Sequence, residues 1–276
     1  MINTEEFVIN MGPQHPSTHG VLRLMVKLDA EIVVDVEPVI GYLHRSLEKM
    51  AEGRHYGQYI PVTDRLDYVT SMSANYVYVL AVERLADIVP TPRGDVIRVI
   101  MVELNRIASH LLWFGTNALE LGATTPFLYG FTEREKILDL FESTCGQRLT
   151  YNYLRLGGVA YERKAVPYSI YPELDFDIPT QEGSDCWARY KVRMDEMRQS
   201  VKIVQQCLAR LPKGRAKAVL PNRIWIPEGE VYSRIENSRG DMGCYLVSNG
   251  SEKAWRCKFR TPSYSNLSVL PVLMRG

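Results

Sequence analysis

The amino-acid sequence predicts an α+β fold: a central bundle of long helices, flanked by an N-terminal β-hairpin and a small C-terminal antiparallel β region. Three observations predict it. Apolar and polar residues alternate with period two from Leu22 to Leu28, and a β-branched run follows from Ile32 to Val36. Apolar residues recur at helical spacing in several long stretches between Thr63 and Leu211. Short strand-like runs between Pro227 and Pro262 are punctuated by Arg239-Gly240 and Asn249-Gly250. In chain order this gives an N-terminal loop and hairpin over 1–40, a helical core over 41–215 and a C-terminal β region over 216–276.

The bulk properties exclude several classes of function. The 276 residues are enough for a substantial core without disulfide staples. With 33 basic and 32 acidic residues the formal net charge is +1, so nothing draws the chain to nucleic acid or anionic lipid. The five cysteines are scattered and never form a C-x-x-C pair, which argues against a disulfide framework and a cysteine-ligated metal and fits a reducing compartment. No apolar run approaches the roughly 20 residues of a membrane span, and the first residues lack the basic start and apolar core of a leader. The chain reads as soluble by itself, yet able to dock on a membrane assembly.

The segment from Met11 to Gly20 opens the chain's chemistry. Pro13 and Pro16 prevent a helix there, so the i, i+4 spacing of His15 and His19 does not place both imidazoles on one face as in a helical metal pair. Two readings stand: a loop that presents a histidine at the mouth of a cavity, or a turn whose imidazoles cap backbone groups. The hairpin follows, and Gly41 to Arg54 reads as a short helix carrying Arg45. Thr63 reads as the N-cap of a helix that continues through Leu66, Val69, Tyr76 and Leu80 to the stop at Pro90-Thr91-Pro92.

A longer helix from about Gly94 to Leu121 is apolar nearly all round, which predicts a central position, with Asn105, Arg106 and His110 interleaved. His110 reads as a satisfied core histidine. After a break at Thr125-Pro126, helices are predicted from Glu133 to about Asn152 and, capped by Ser184, from Asp185 to Leu211. Gly157-Gly158 falls far short of a nucleotide-binding glycine pattern.

Two further positions carry candidate chemistry. Tyr68, in Asp64-Arg65-Leu66-Asp67-Tyr68, falls beside the stripe of Leu66 and Val69, where a phenol could enter an apolar space. A tyrosine and a histidine donor together suit a carbonyl-bearing ligand, in which each carbonyl oxygen accepts a hydrogen bond and, on reduction, a proton. Glu120 lies between Leu119 and Leu121 at the end of the long helix; desolvation there would raise its proton affinity, whereas a solvated helix-end glutamate is the plain alternative.

Several strings together resemble one family. These are Gly12–Arg23 (GPQHPSTHGVLR), Gly41–Arg45 (GYLHR), Asp64–Tyr68 (DRLDY), Glu103–Leu111 (ELNRIASHL), Tyr153–Gly158 (YLRLGG), Tyr171–Phe176 (YPELDF) and Gly240–Gly250 (GDMGCYLVSNG). They are similar to the D subunits of NADH-quinone oxidoreductase, respiratory complex I. The resemblance implies a core subunit that forms the quinone-binding and reduction site of a proton-translocating enzyme, active only in the complex. Quinone is then the substrate, and this chain itself binds no cofactor.

By the same resemblance, His19 and Tyr68 bind the quinone head group, and His15 belongs to the loop without that direct role. Arg45 lies beside the terminal [4Fe-4S] cluster of a neighbouring subunit, and Glu120, at a position usually Asp, links the protonation of His19 to proton pumping. The implied partners are the iron-sulfur subunit carrying that cluster, the C-type hydrophilic subunit and the membrane-arm subunits, in a peripheral hetero-oligomeric complex on the cytoplasmic side of the inner membrane. The family is also similar to nickel-iron hydrogenase large subunits, whose first cysteine pair would fall at Asp67 and Thr70. Neither is cysteine, so the thiolates a nickel-iron centre needs are missing from this register.

Three departures accompany the resemblance. A sizeable helical stretch of the family, between Val159-Ala160 and the segment matched by Tyr161–Tyr168, has no counterpart here, and the family's last C-terminal segment lies beyond Gly276. Thr150 stands where several members have a histidine near the cluster. The first two, the missing internal and C-terminal segments, motivate an alternative function, a shortened non-catalytic structural or assembly homologue.

Overall fold

The computed structural model describes residues 6–15, 20–159, 171–183 and 185–276. Packing divides the chain into two units, one of residues 1–46 with 260–276 and one of residues 47–259.

The first unit contains a three-stranded antiparallel sheet of β1 (Glu6–Met11), β2 (Arg23–Asp29) and β3 (Ile32–Val39), in that order. The anticipated hairpin is β2 and β3, and its alternation works as expected: Leu24, Val26 and Val36 form the buried row. β1 is an additional strand. Its consecutive Phe7, Val8 and Ile9 are all exposed, so it carries no inward alternation for a sequence pattern to detect. Gly12, at φ +92°, passes so close to β2 that a Cβ there would collide with the Leu22 carbonyl, so only glycine fits.

The second unit begins with α1 (Leu47–Gly53) and α2 (Tyr56–Thr63), then a 3-10 turn (Tyr68–Thr70) that leads into α3 (Ser71–Leu85). Three expectations change here. The segment 41–46 is a turn rather than the start of a helix: His44 N–H donates to the Gly41 carbonyl at 2.9 Å and Ser46 has φ +53°. Thr63 ends α2 instead of capping a later helix, because its hydroxyl is directed back to the Ile60 carbonyl at 2.8 Å. Tyr68 accordingly lies on the 3-10 turn and not on a long helix.

Helix α4 (Pro92–Glu120) starts two residues before the expected Gly94: Pro92 of the anticipated stop sits in its first turn, and Thr91 Oγ1 accepts from Gly94 N–H at 3.0 Å. Ile97, Ile100 and Met101 are buried, and α4 packs against α3, α5 (Thr124–Cys145) and α6 (Cys186–Ala209). Pro126 does not break the chain. It sits in the first turn of α5, where the missing N–H has no intrahelical partner to lose. That helix stops at Cys145 rather than Asn152, because Gly146 takes the left-handed conformation at φ +74° and its N–H closes on the Glu142 carbonyl at 2.9 Å.

A minimal hairpin, β4 (Leu154–Arg155) and β5 (Gly158–Val159), lies between α5 and a second 3-10 turn (Tyr171–Glu173). Asp185 caps α6 by accepting from Ala188 N–H at 2.8 Å; the anticipated cap Ser184 lies outside the described residues.

The C-terminal sheet has the order β6 (Gly229–Asn237), β7 (Gly240–Ser248) and β8 (Arg256–Arg260). Its tight hairpin closes through Ser238-Arg239, with Asn237 opposite Gly240, whereas Asn249-Gly250 opens a longer connection to β8. Beneath it, Tyr59, Tyr78, Ile226, Met242 and Leu246 form a second core cluster, each side chain worth roughly 1.5–3 kcal/mol by burial. The first unit ends in α7 (Pro262–Leu267) and α8 (Leu270–Leu273), the latter against β3. Among the described residues, no helix is long and apolar enough to cross a membrane.

Candidate functional site

Tyr68 occupies a turn that is fixed from both sides. Asn105, the third residue of the E-L-N-R string on α4, accepts from Met72 N–H at 3.2 Å through Oδ1 and donates to the Val69 carbonyl at 3.2 Å through Nδ2. One buried amide thus spans the end of the 3-10 turn and the start of α3. On the preceding residue, Asp67 accepts from Asn237 Nδ2 at 2.9 Å, at the tip of the β6–β7 hairpin. That tip is anchored in turn on α4 by the Ser109–Ser238 hydroxyl pair at 2.9 Å. Within this clamp the Tyr68 side chain remains 49% exposed, so the apolar enclosure anticipated for it is not provided by this unit.

The anticipated Glu120, in the same unit, does not lie beside it. Glu120 is exposed at the C-terminal end of α4, with Leu119 and Leu121 exposed beside it, so burial of this carboxylate is not observed. It lies fifteen residues beyond Asn105, roughly 22 Å along the helix axis. Arg45 is exposed in the turn before α1, in the other unit. His15 is partly buried in a short bridge with Gly20, and His19 lies outside the described residues.

Three buried polar assemblies escape a reading by sequence pattern. In the first, Arg98 and Glu83 form a pair buried between α4 and α3, with Nη1 to Oε2 at 2.9 Å. Arg98 also donates to the carbonyls of Arg155 at 2.7 Å and Gly158 at 3.2 Å, while Glu83 accepts from Gly157 N–H at 2.7 Å. The pair therefore pins the Y-L-R-L-G-G hairpin to the helices, and its polar atoms are all engaged.

In the second, Glu103 accepts from Ser200 at 2.6 Å, from Arg106 Nε at 3.2 Å and from the Tyr171 hydroxyl. It lines a cavity of about 370 Å³ together with Tyr76, Arg106, Phe176, Glu196 and Ile203. Tyr68, Glu120 and Arg45 are not among the residues lining it. Nearby, buried His110 lies with Nε2 2.9 Å from Glu196, which also pairs with Arg193 at 2.7 Å. Burial lowers the pKa of His110. Burial opposes ionisation of Glu196 too, but the His110 and Arg193 contacts prevail and hold it at about 2. His110 is thus buried in the core as read, but it is not fully satisfied: beyond the approach of Nε2 to Glu196, neither ring nitrogen has a well-formed hydrogen bond among the described residues.

The third is Asp64, fully buried at the end of α2. Neither carboxylate oxygen receives a well-formed hydrogen bond, and burial raises its pKa from 3.8 to about 6, against smaller opposing contributions from Asn75, Arg65, the Asn152 N–H and Arg155. Nothing in the D-R-L-D-Y string distinguishes this carboxylate from a solvated one. Among the described residues, no group of three or more His, Cys, Asp or Glu is placed to hold a metal ion.

Comparisons with known proteins bear on what this scaffold is. The model of the respiratory-chain NADH dehydrogenase 49 kDa subunit family matches residues 120–162, 161–227 and 217–276. Full-length relatives include the D subunits of NADH-quinone oxidoreductase from Bacillus mycoides, at 41% identity, and from Bacillus anthracis and Geobacillus thermodenitrificans, each at 42%. Each alignment runs over 344 positions, covering 100% of this chain and 94% of the relative. Since the chain has 276 residues, at least 68 of those 344 positions have no counterpart in it. Matched over more than half its length by the family model and throughout by these relatives, the chain belongs to the 49 kDa subunit family of the respiratory-chain NADH dehydrogenase, which includes the D subunits of NADH-quinone oxidoreductase.

Proposed function

We propose that this chain forms the quinone-binding and reduction site of a proton-translocating NADH-quinone oxidoreductase and turns over only within that complex. Family membership supports the reading, and the observation that carries it is the clamped turn. A half-exposed Tyr68 is held on backbone fixed by Asn105 on one side and by the Asp67–Asn237 contact on the other. A hydroxyl held this way can donate to a carbonyl oxygen and hand over a proton as that oxygen is reduced.

In this reading Tyr68 and His19 bind the quinone head group, and electrons arrive from a [4Fe-4S] cluster of the neighbouring iron-sulfur subunit, near Arg45. Glu120, exposed at a helix end, responds to the charge of His19 and faces further partners, among them the C-type hydrophilic subunit and the membrane arm. The complex would lie peripherally on the cytoplasmic side of the inner membrane. Tyr68→Phe in the assembled complex should lower NADH-driven quinone reduction by on the order of a hundredfold, the usual scale for a positioned proton donor. Full turnover by that variant would sink the donor assignment.

A second reading, a shortened homologue with a structural or assembly role, is favoured by the 68 or more aligned positions that this chain lacks. Assembly of the complex around this chain without any quinone reduction would select it.

A further inference from the structure

With 33 basic and 32 acidic residues the chain as a whole is almost balanced, yet one small cavity of the helical unit is lined by a single sign of charge. It measures about 140 Å³ and lies where the first turn of α2, Arg155 and Leu156 of the β4–β5 hairpin, and the segment 217–224 meet. His55, Arg155, Lys217 and Arg223 line it, and no aspartate or glutamate does. The volume falls below the roughly 300–1,000 Å³ of sites that enclose a drug-sized molecule, so the cavity suits a small anion or the head of a larger one.

Three of these basic residues stand on parts that the fold holds in place. Lys217 is bridged to Gly158 of β5: Val159 N–H donates to the Ala216 carbonyl at 3.2 Å, and Ala218 N–H to the Gly157 carbonyl at 2.9 Å. The two segments approach so closely that a Cβ on Gly158 would collide with the Ala216 carbonyl. Arg155 Nη1 donates to the carbonyls of Asn152 at 2.6 Å and Leu154 at 2.8 Å, which fixes its guanidinium. His55 is bridged to Lys253, whose carbonyl also accepts from the Tyr56 hydroxyl at 3.0 Å.

The positive charge gathered here is only partly answered. Glu252, which is not part of the lining, has its Oε2 at 3.2 Å from His55 Nδ1 and at 3.5 Å from Arg223 Nη1. Neither His55 Nδ1 nor Glu252 Oε2 has a well-formed hydrogen bond. Lys217 is exposed, and among the described residues its ammonium pairs with no carboxylate. Asn222 adds an amide to the same lining. Two guanidinium groups, an ammonium and an amide around one space call for a ligand with several acceptor oxygens and more than one negative charge. A phosphate meets that demand better than a single carboxylate, whose two oxygens would leave part of the set unanswered.

We infer that this cavity is a phosphate site, taking inorganic phosphate or the phosphate monoester head of a larger ligand. Lys217, Arg155 and Arg223 supply the charge, with Asn222 and His55 as further donors. Tyr68 and Asn105 do not line the cavity, and the inference stands independently of the quinone reading. The same chemistry occurs free in solution and, at a membrane surface, in the head group of phosphatidic acid.

Calorimetric titration of the purified full chain with inorganic phosphate, at constant ionic strength against chloride, should show a single saturable site. Its Kd should be on the order of 1 mM, the strength of a few solvent-exposed charged contacts. Lys217→Met combined with Arg223→Met should weaken binding on the order of tenfold or more. Lys213→Met combined with Arg215→Met removes two exposed basic residues outside the lining and should leave the Kd within about twofold. All four positions are exposed, and urea unfolding curves that match the parent chain check that both variants fold. Sedimentation with phosphatidylcholine vesicles, with and without phosphatidic acid, separates the two sources. Phosphate binding without sedimentation assigns a free ligand; sedimentation that requires phosphatidic acid and is competed by phosphate assigns a lipid head group. Absence of both saturable binding and sedimentation would overturn the inference. So would a Kd that the Lys217 and Arg223 changes leave unaltered, or that both double variants weaken alike, since net charge alone would then attract the anion.

Discussion

Buried acids meet opposite fates in two regions of the helical unit. Glu83 on α3 and Glu103 on α4 are almost entirely buried, yet every oxygen is answered: Glu83 by Arg98 and the Gly157 N–H, Glu103 by Ser200, Arg106 and Tyr171. At the end of α2, Asp64 is buried as deeply with no well-formed hydrogen bond to either oxygen. Burial alone therefore does not decide what a carboxyl group does. Fully answered, it is a fixed charge that holds elements together; poorly answered, it holds its proton to a higher pH than an ordinary carboxylate, to about 6 for Asp64.

The contrast can be broken from the structural side first, where the effect is largest. Arg98→Met should leave Glu83 charged and unpaired in the core and lower unfolding free energy by about 3–5 kcal/mol in urea titrations. A loss under 1 kcal/mol would mean that the pair does not act as a clamp. The Asp64 side is smaller and depends on pH. Its folded pKa, about 6, lies above the ordinary 3.8, so its contribution to stability is fully present below about pH 4 and is lost as pH rises through 6. That amounts to roughly 3 kcal/mol for a displacement of this size. Thermal or chemical unfolding of Asp64→Asn should accordingly lack a fall in stability between pH 4 and 6.5 that the wild type shows, and equal slopes would contradict the unpaired environment. The smallest effect concerns the turn between the regions. Asn105→Ala removes two hydrogen bonds and should cost about 1–3 kcal/mol, while raising the quinone KM in the complex because the Tyr68 turn loses its brace.

Much of this fold was legible where one local rule acts alone. The β2–β3 hairpin follows from alternation, and the body of α4 follows from its helical apolar period, because both patterns are local. The errors arose where two local rules competed. Thr63 has the side chain of an N-cap, but Pro61 sits inside α2 and the hydroxyl turns back to Ile60, so the helix ends there instead of beginning. Pro126 looks like a breaker until its place in the first turn is known. The site was less legible than the fold. Tyr68 and Asn105 stand in recognisable strings, yet what joins them is a contact across 36 residues, and the isolation of Asp64 depends on where Arg65 and Arg155 point. The enclosure expected for Tyr68 and Glu120 is not built by the helical unit.

The single amide of Asn105 also limits how the Tyr68 turn can move. Because one planar group bonds both the Val69 carbonyl and the Met72 N–H, displacing the turn as a whole away from α4 breaks two hydrogen bonds at once. Any opening and closing around Tyr68 during turnover then falls to rotation of its ring, or to rigid displacement of α4 carrying the turn as cargo.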